Sequence, residues 1–289
     1  MNTVTSHDKT RSLERIRAKQ PALMAADRPH PFFAPQGGSM RSAAPTSGSV
    51  DLVEPGRLCR ELLARGSLDQ RDDQGPTMTA EALLDGHYRE HVSALFDRHA
   101  ADFEPLLLGS LQYETPAQLE RALLAFVAST GASDGVLSST ACLDLGCGTG
   151  LAGALLRKHC TGHLFGCDLS SSMIRIAESK GVYDAVPTCG DCVAYLRDQK
   201  ASSADLIVAA DVICYLHGLA ELFSAAAAAL ASGGVFAFST ETCRLDEVRG
   251  GLPPQGPGWL ERESERVAHC VEYVHYLVAQ VRVSRSRIA

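Results

Sequence analysis

Leu143-Asp144-Leu145-Gly146-Cys147-Gly148-Thr149-Gly150 joins a short apolar run to the helical pattern of Leu151 to Lys158. A strand, a glycine turn and a helix N-terminus therefore follow one another. Glycines at 146, 148 and 150 let the backbone turn sharply and come close to a ligand, because no Cβ intrudes and positive φ is accessible. A flat or charged ligand could lie against such a turn. Two more acids stand at the ends of apolar runs. Leu164-Phe165-Gly166-Cys167 closes on Asp168, and Leu206-Ile207-Val208-Ala209-Ala210 closes on Asp211. An ionised carboxylate at a strand end must find donors, which makes Asp144, two residues before the first glycine, hard to explain as core. In open α/β sheets ligands bind outside the carboxyl ends of the strands, where all these residues fall.

The dinucleotide fingerprint G-x-G-x-x-G would need glycine at 151, where the chain has Leu151. The spacing here is G-x-G-x-G. With Asp144 two residues ahead, the run resembles the first motif, (D/E)-x-G-x-G-x-G, of the class I S-adenosylmethionine-dependent methyltransferases. The resemblance implies a Rossmann-like fold and a cofactor held around Asp144, Gly146, Cys147, Gly148 and Gly150. Asp168 lies 18 residues beyond Gly150, and an acid at a second strand tip can accept both hydroxyls of a ribose. By the resemblance Asp168 does this for S-adenosylmethionine, with Leu169 beside the nucleoside. Capping of the next helix by Asp168 or Ser170 is the alternative. Asp191, in Gly190-Asp191-Cys192, would face the adenine amino group, and Asp211 would close the site at the fourth strand.

Methyl transfer from a sulfonium is an in-line displacement, so the protein must chiefly orient the acceptor and exclude water. For an amine or hydroxyl acceptor a base near the fourth strand could take the proton; Asp211, Tyr215 and His217 are the candidates by position, Asp211 and His217 being preferred. Tyr113 and His269 are further candidates for the acceptor pocket. A narrower resemblance, over residues 88 to 280, is to methyltransferases that often follow tetratricopeptide repeats. It is carried by Leu95-Phe96-Asp97-Arg98-His99-Ala100, Leu111-Gln112-Tyr113-Glu114-Thr115-Pro116 and Arg266-Val267-Ala268-His269; the repeats themselves are not in this sequence. A protein that binds S-adenosylmethionine without turnover, in assembly or regulation, is the alternative function. A nicotinamide-dependent oxidoreductase is disfavoured by Leu151.

These residues need a scaffold. Apolar runs at Ala141 to Leu145, His163 to Cys167, Leu206 to Ala210 and Val235 to Phe238, with a weaker one at Ala185 to Thr188, alternate with helical stretches, the pattern of a mostly parallel sheet flanked by helices. Helices are predicted from Ala80 through Phe96 and from Pro116 to Ala128. The C-terminus reads as incomplete: a helix-like stretch from His269 to Leu277, then one half-exposed strand within Val278 to Ala289. Twelve residues cannot make two strands and a turn of usual length, so the expected sheet has five or six strands. Its outer edge would need cover from the N-terminal extension or a partner chain. The expected organisation is an extension over residues 1–79, with short helices at Arg11 to Lys19 and near Leu58 to Gly66, and a methyltransferase domain over 80–289. That domain divides into N-terminal helices (80–130), a cofactor-binding core (138–240) and a divergent C-terminal part (241–289).

The composition limits the partners. The chain has 289 residues, 45% of them hydrophobic, enough for one enzyme-sized core and an extension. Residues 1–79 carry a net +2 and residues 80–289 a net −9. An acidic body argues against nucleic acid and for a small-molecule or protein acceptor, since phosphate neutralisation needs a basic surface. No Asn-Pro-Pro-Tyr run points to a particular acceptor atom. The ten cysteines are scattered without a signal peptide, which reads as reduced thiols in the cytoplasm, with a mitochondrial or other organellar address left open by the basic Arg11–Lys19 segment. Cys189 and Cys192 form the one Cys-x-x-Cys. Without a second pair it predicts no metal. No apolar stretch is long enough to span a membrane.

Overall fold

A computed structural model describes residues 80–110, 112–129 and 139–286. The short helices expected at Arg11–Lys19 and Leu58–Gly66 lie outside these residues. Helix α1 (Ala80–His99) is followed by a short 3-10 turn, a π-helical stretch at Pro105–Ser110 and helix α2 (Thr115–Ser129). Pro116 sits in the first turn of α2, where its missing N–H costs no helix bond.

Strands and helices then alternate: β1 (Ser139–Leu145), α3 (Leu151–Leu156), β2 (Cys160–Asp168), α4 (Ser171–Ser179), β3 (Thr188–Cys189), α5 (Cys192–Arg197), β4 (Ala204–Ala209), α6 (Ala220–Ala229) and β5 (Leu230–Phe238). The five strands pair in parallel in the order β3-β2-β1-β4-β5. This is the expected Rossmann-like α/β sheet. It reverses direction of growth at β1, so a crevice opens between the carboxyl ends of β1 and β4.

Apolar runs such as Leu206 to Ala209 follow from cover on both faces. On one face Tyr195 and Leu196 of α5 and Leu222 and Phe223 of α6 pack over the sheet. On the other, Leu123 of α2 and Leu156 of α3 meet Cys142, Leu164, Leu206 and Val208.

The C-terminal part departs from expectation. Beyond β5 the chain builds a second sheet from β6 (Glu241–Cys243), β7 (Trp259–Glu261) and β8 (Val267–Cys270), in the order β6-β8-β7. The strands at Trp259–Glu261 and at Val267 onward were not expected, and His269 belongs to β8 rather than to a helix. The strand expected within Val278–Ala289 is, as far as Ser286, part of helix α7 (Val271–Ser286). Tyr273, Leu277 and Val281 recur at four-residue spacing and pack into the α5/α6 side of the core. That stripe outweighs the alternation of valine with arginine. The weak third strand is Thr188–Cys189, sharing only Thr188 with the run expected at 185–188.

Candidate active site

The turn after β1 has φ of +58°, +53° and +86° at Gly146, Gly148 and Gly150. A Cβ on Gly146 would lie 2.3 Å from Val212 Cγ2, so no side chain fits there. At Gly148 a Cβ would meet only Phe103, at 4.0 Å. Gly150 is the N-cap of α3. The turn thus presents backbone to the crevice and tolerates little else.

Asp168, at the tip of β2, accepts the Gly148 N–H through Oδ2 and the Ser170 N–H through Oδ1, both at 2.8 Å. Burial pushes its carboxyl above the usual range, against the pull of those two N–H groups. The cap of α4 is Ser170, whose Oγ accepts from Met173 N at 3.1 Å and donates to Asp97 Oδ1 at 2.6 Å. Asp97 also accepts the Ser172 N–H at 2.9 Å, and these bonds hold its carboxyl below the usual range. Asp191 caps α5 through Oδ1, which accepts from Val193 N and Ala194 N, while Arg89 of α1 lies 3.6 Å from Oδ2.

Helix α1 reaches three loops at once. Besides Arg89 and Asp97, Ser93 Oγ donates to Leu169 O at 3.0 Å, and Tyr88 Oη donates to Glu265 O, between β7 and β8, at 2.7 Å. The result is a roofed cavity of about 1060 Å³, its mouth included. Gly146, Cys147, Gly148, Asp168, Leu169 and Asp191 line one part of it; Phe103, Leu107, Tyr113, Pro116, Asp211 and Tyr215 line the other. Thr149 also lines it, and its buried Oγ1 has no hydrogen-bond partner.

Asp211 adopts φ +55°, a conformation that favours glycine. Ser239 holds it there: its Oγ accepts the Asp211 N–H at 2.7 Å and donates to Asp211 Oδ1 at 2.8 Å. The Tyr113 hydroxyl is hydrogen-bonded to the same carboxylate; burial and that negative charge push its pKa well up. Tyr215 packs edge-on to Phe96, with Arg266 over its ring at 5.7 Å.

Two of the expected histidines stand elsewhere. His217 does not line the cavity. Its Nε2 pairs with Glu261 Oε1 at 2.6 Å, between the rings of Tyr88 and Trp259. His269 is fully buried, with Nδ1 2.9 Å from Thr240 Oγ1 and Nε2 2.9 Å from Leu216 O. Burial lowers its pKa to about 4, so the ring is neutral, donates from Nε2 and pins the loop after β4 to β8. Asp144 is buried beneath the turn and does not line the cavity; Tyr183 Oη donates to its Oδ2 at 2.7 Å. Sequence reasoning missed Arg89, Phe103 and Tyr183. Gly153 inside a helix and Gly166 inside a strand were the available signal for Tyr183, since interior glycines mark close approach. Cys189 is exposed, Cys192 buried, and neither is in a disulfide.

The parallel order and the glycine turn at the crevice define a Rossmann-like α/β protein with a glycine-lined cradle. Within it, residues 143–236 match the family model described as a methyltransferase domain. No curated protein sequence matches the chain. Among solved structures, an S-adenosylmethionine-dependent methyltransferase from Mesorhizobium loti is similar, at 21% identity over 50% of this chain and 74% of that one, with a TM-score of 0.39. Phosphoethanolamine N-methyltransferase 2 of Haemonchus contortus, in complex with phosphomonomethylethanolamine and S-adenosylhomocysteine, is similar at 19% over 55% of this chain, which spans only 35% of that protein (TM-score 0.41). Magnesium protoporphyrin IX methyltransferase from Synechocystis PCC 6803, with bound S-adenosylmethionine, shares 14% over 67% and 85% of the two chains (TM-score 0.45). Among the described residues no helix is long and apolar enough to cross a membrane.

Proposed function

We propose that residues 80–289 form a methyltransferase domain that binds S-adenosylmethionine and transfers its methyl group to a small molecule or a protein rather than to a nucleic acid. The observation that carries this reading is the convergence of the glycine turn, Asp168 and Asp191 on one wall of the cavity that Asp211 and Tyr113 face from another part. The cradle suits the cofactor. An added Cβ at Gly148 would point into open space beside the turn, and Thr149 Oγ1 is a buried polar atom awaiting a partner.

In this reading Asp168 receives the ribose hydroxyls, Leu169 lies against the nucleoside, Asp191 and Cys192 border the base, and Gly146 to Gly150 follow the amino-acid portion. S-adenosylmethionine supplies an electrophilic methyl on a sulfonium. Asp211, fixed by Ser239, orients the acceptor and takes its proton; Tyr113 closes the same wall. His217 has no part in the proton step, because it is committed to Glu261 outside the cavity. Cavity walls from α1 and α2 exclude water from the reacting atoms.

Two experiments test this. Calorimetric titration with S-adenosylhomocysteine should give one site per chain, and no binding would remove the reading. Incubation of the protein with a cell extract and cofactor carrying a labelled methyl should place label on a metabolite or protein. Binding without any transfer would leave a cofactor-binding protein that does not turn over.

A further inference from the structure

We propose that Tyr183 is the positioning residue of the cofactor cradle: its hydroxyl holds the buried Asp144 carboxylate and its ring fills the slot beneath the glycine turn. This rests on reading that turn as the cofactor site.

The slot is made of absent side chains. A Cβ on Gly153 of α3 would lie 2.2 Å from Tyr183 Oη, one on Gly166 of β2 3.1 Å from Cε1, and one on Gly150 3.4 Å from Cε2. Three glycines from the turn, the following helix and the neighbouring strand thus face a single ring. The next residue sets the ring's direction. Asp184 N–H donates to Leu164 O at 3.0 Å, and Asp184 Oδ2 accepts from Leu164 N at 2.6 Å and from Arg157 Nη1 at 2.7 Å. Tyr183 is thereby anchored to the middle of β2 and directed under the turn.

Asp144 depends on that hydroxyl. Its Oδ1 is buried and makes no hydrogen bond, so the Tyr183 bond to Oδ2 is the one side-chain bond it has among the described residues. Asp168, Cys147, Cys167 and Tyr195 are the other titratable groups around it, and none brings a positive charge. Burial, with Asp168 adding repulsion, pushes the Asp144 carboxyl up to about 7, while the Tyr183 bond and the nearby Gly153 N–H pull it down. Deleting the hydroxyl raises it further. A raised folded-state pKa favours folding at acid pH, and that contribution is lost as pH rises through the folded value. The wild type completes this loss near neutrality, whereas a Tyr183→Phe protein goes on losing stability above it.

The test compares thermal unfolding of wild type and Tyr183→Phe from pH 5 to 9, each also in an Asp144→Asn background. The gap between the two proteins should be constant at acid pH and widen through neutrality, by about 3 °C for each unit the Asp144 midpoint moves. In the Asp144→Asn background it should not vary with pH. Gly153→Ala, whose Cβ presses on the hydroxyl while the backbone N–H beside Asp144 is retained, should reproduce the widening. Affinity for S-adenosylhomocysteine at pH 8 should fall about tenfold in Tyr183→Phe. A gap that stays flat with pH in the wild-type background overturns the assignment of Tyr183 as the donor to Asp144. A widening gap with unchanged affinity overturns its positioning role. Wild-type protein that does not bind the probe overturns the cofactor reading and leaves the Asp144–Tyr183 linkage standing.

Discussion

The Asp168 carboxylate accepts the backbone N–H of Gly148 at 2.8 Å, so the tip of β2 holds the turn that follows β1. Under the proposed function, Asp168→Ala removes the ribose acceptor and loosens the turn together. Bonds to a charged acceptor contribute about 1.5–3 kcal/mol each, which predicts at least a tenfold loss in affinity for S-adenosylhomocysteine. Calorimetry checks this, and an unchanged dissociation constant would reduce Asp168 to a support of the loop.

Gly148→Val separates binding from folding. The positive φ costs a side-chain residue roughly 1–2 kcal/mol, more for a branched one, yet the Cβ itself meets nothing closer than Phe103. The expected protein folds, with a lower melting temperature, and binds no cofactor. Retained affinity in the folded variant would take the turn out of the site.

His269 gives the fold an acid limit. Its pKa is lowered from about 6.5 to about 4, so the neutral ring stabilises the native state fully above pH 6.5, and that stability drains away as pH falls toward 4. The drop is on the order of 3 kcal/mol. In His269→Gln it should vanish, leaving a variant that is less stable at pH 7.5 but loses less on acidification. Parallel losses in both proteins, followed by denaturant unfolding across pH 4–7.5, would contradict the buried neutral assignment.

Asp97 ties the roof to the sheet by accepting from Ser170 Oγ and Ser172 N. Asp97→Ala should speed amide exchange in α1 and at the start of α4, and hasten release of S-adenosylhomocysteine, while β1 and β4 stay protected. If exchange in α1 is unaltered, the helix is held by its other contacts.

The sheet could be read from sequence because its strands are buried on both faces, and runs such as Leu206 to Ala209 have no second interpretation at that length. The strand-tip acids were equally legible, since Asp168, Asp191 and Asp211 all border the cavity. What sequence did not reveal was how each acid is already engaged. Asp191 caps α5, and Asp144 faces inward to Tyr183, 39 residues away. The reading failed at Val278 to Val283, where alternation with arginine mimics a strand while Tyr273, Leu277 and Val281 form a helical stripe. A short segment carries both periods, and only packing against the core chooses between them. His217 was attractive through its place after β4, but Glu261, from a strand the sequence did not disclose, takes its ring nitrogen.

The matched family region begins at Leu143, whereas Arg89, Phe96, Phe103, Leu107 and Tyr113 lie before it. The part of the cavity opposite the glycine turn is therefore lined largely by residues that precede that region. Residues 143–236 supply the glycine turn, Asp168 and Asp191, while the stretch before them is docked through Asp97 and Ser93. Under the proposed function, acceptor preference could then be changed by substitutions in that docked stretch without rebuilding the sheet.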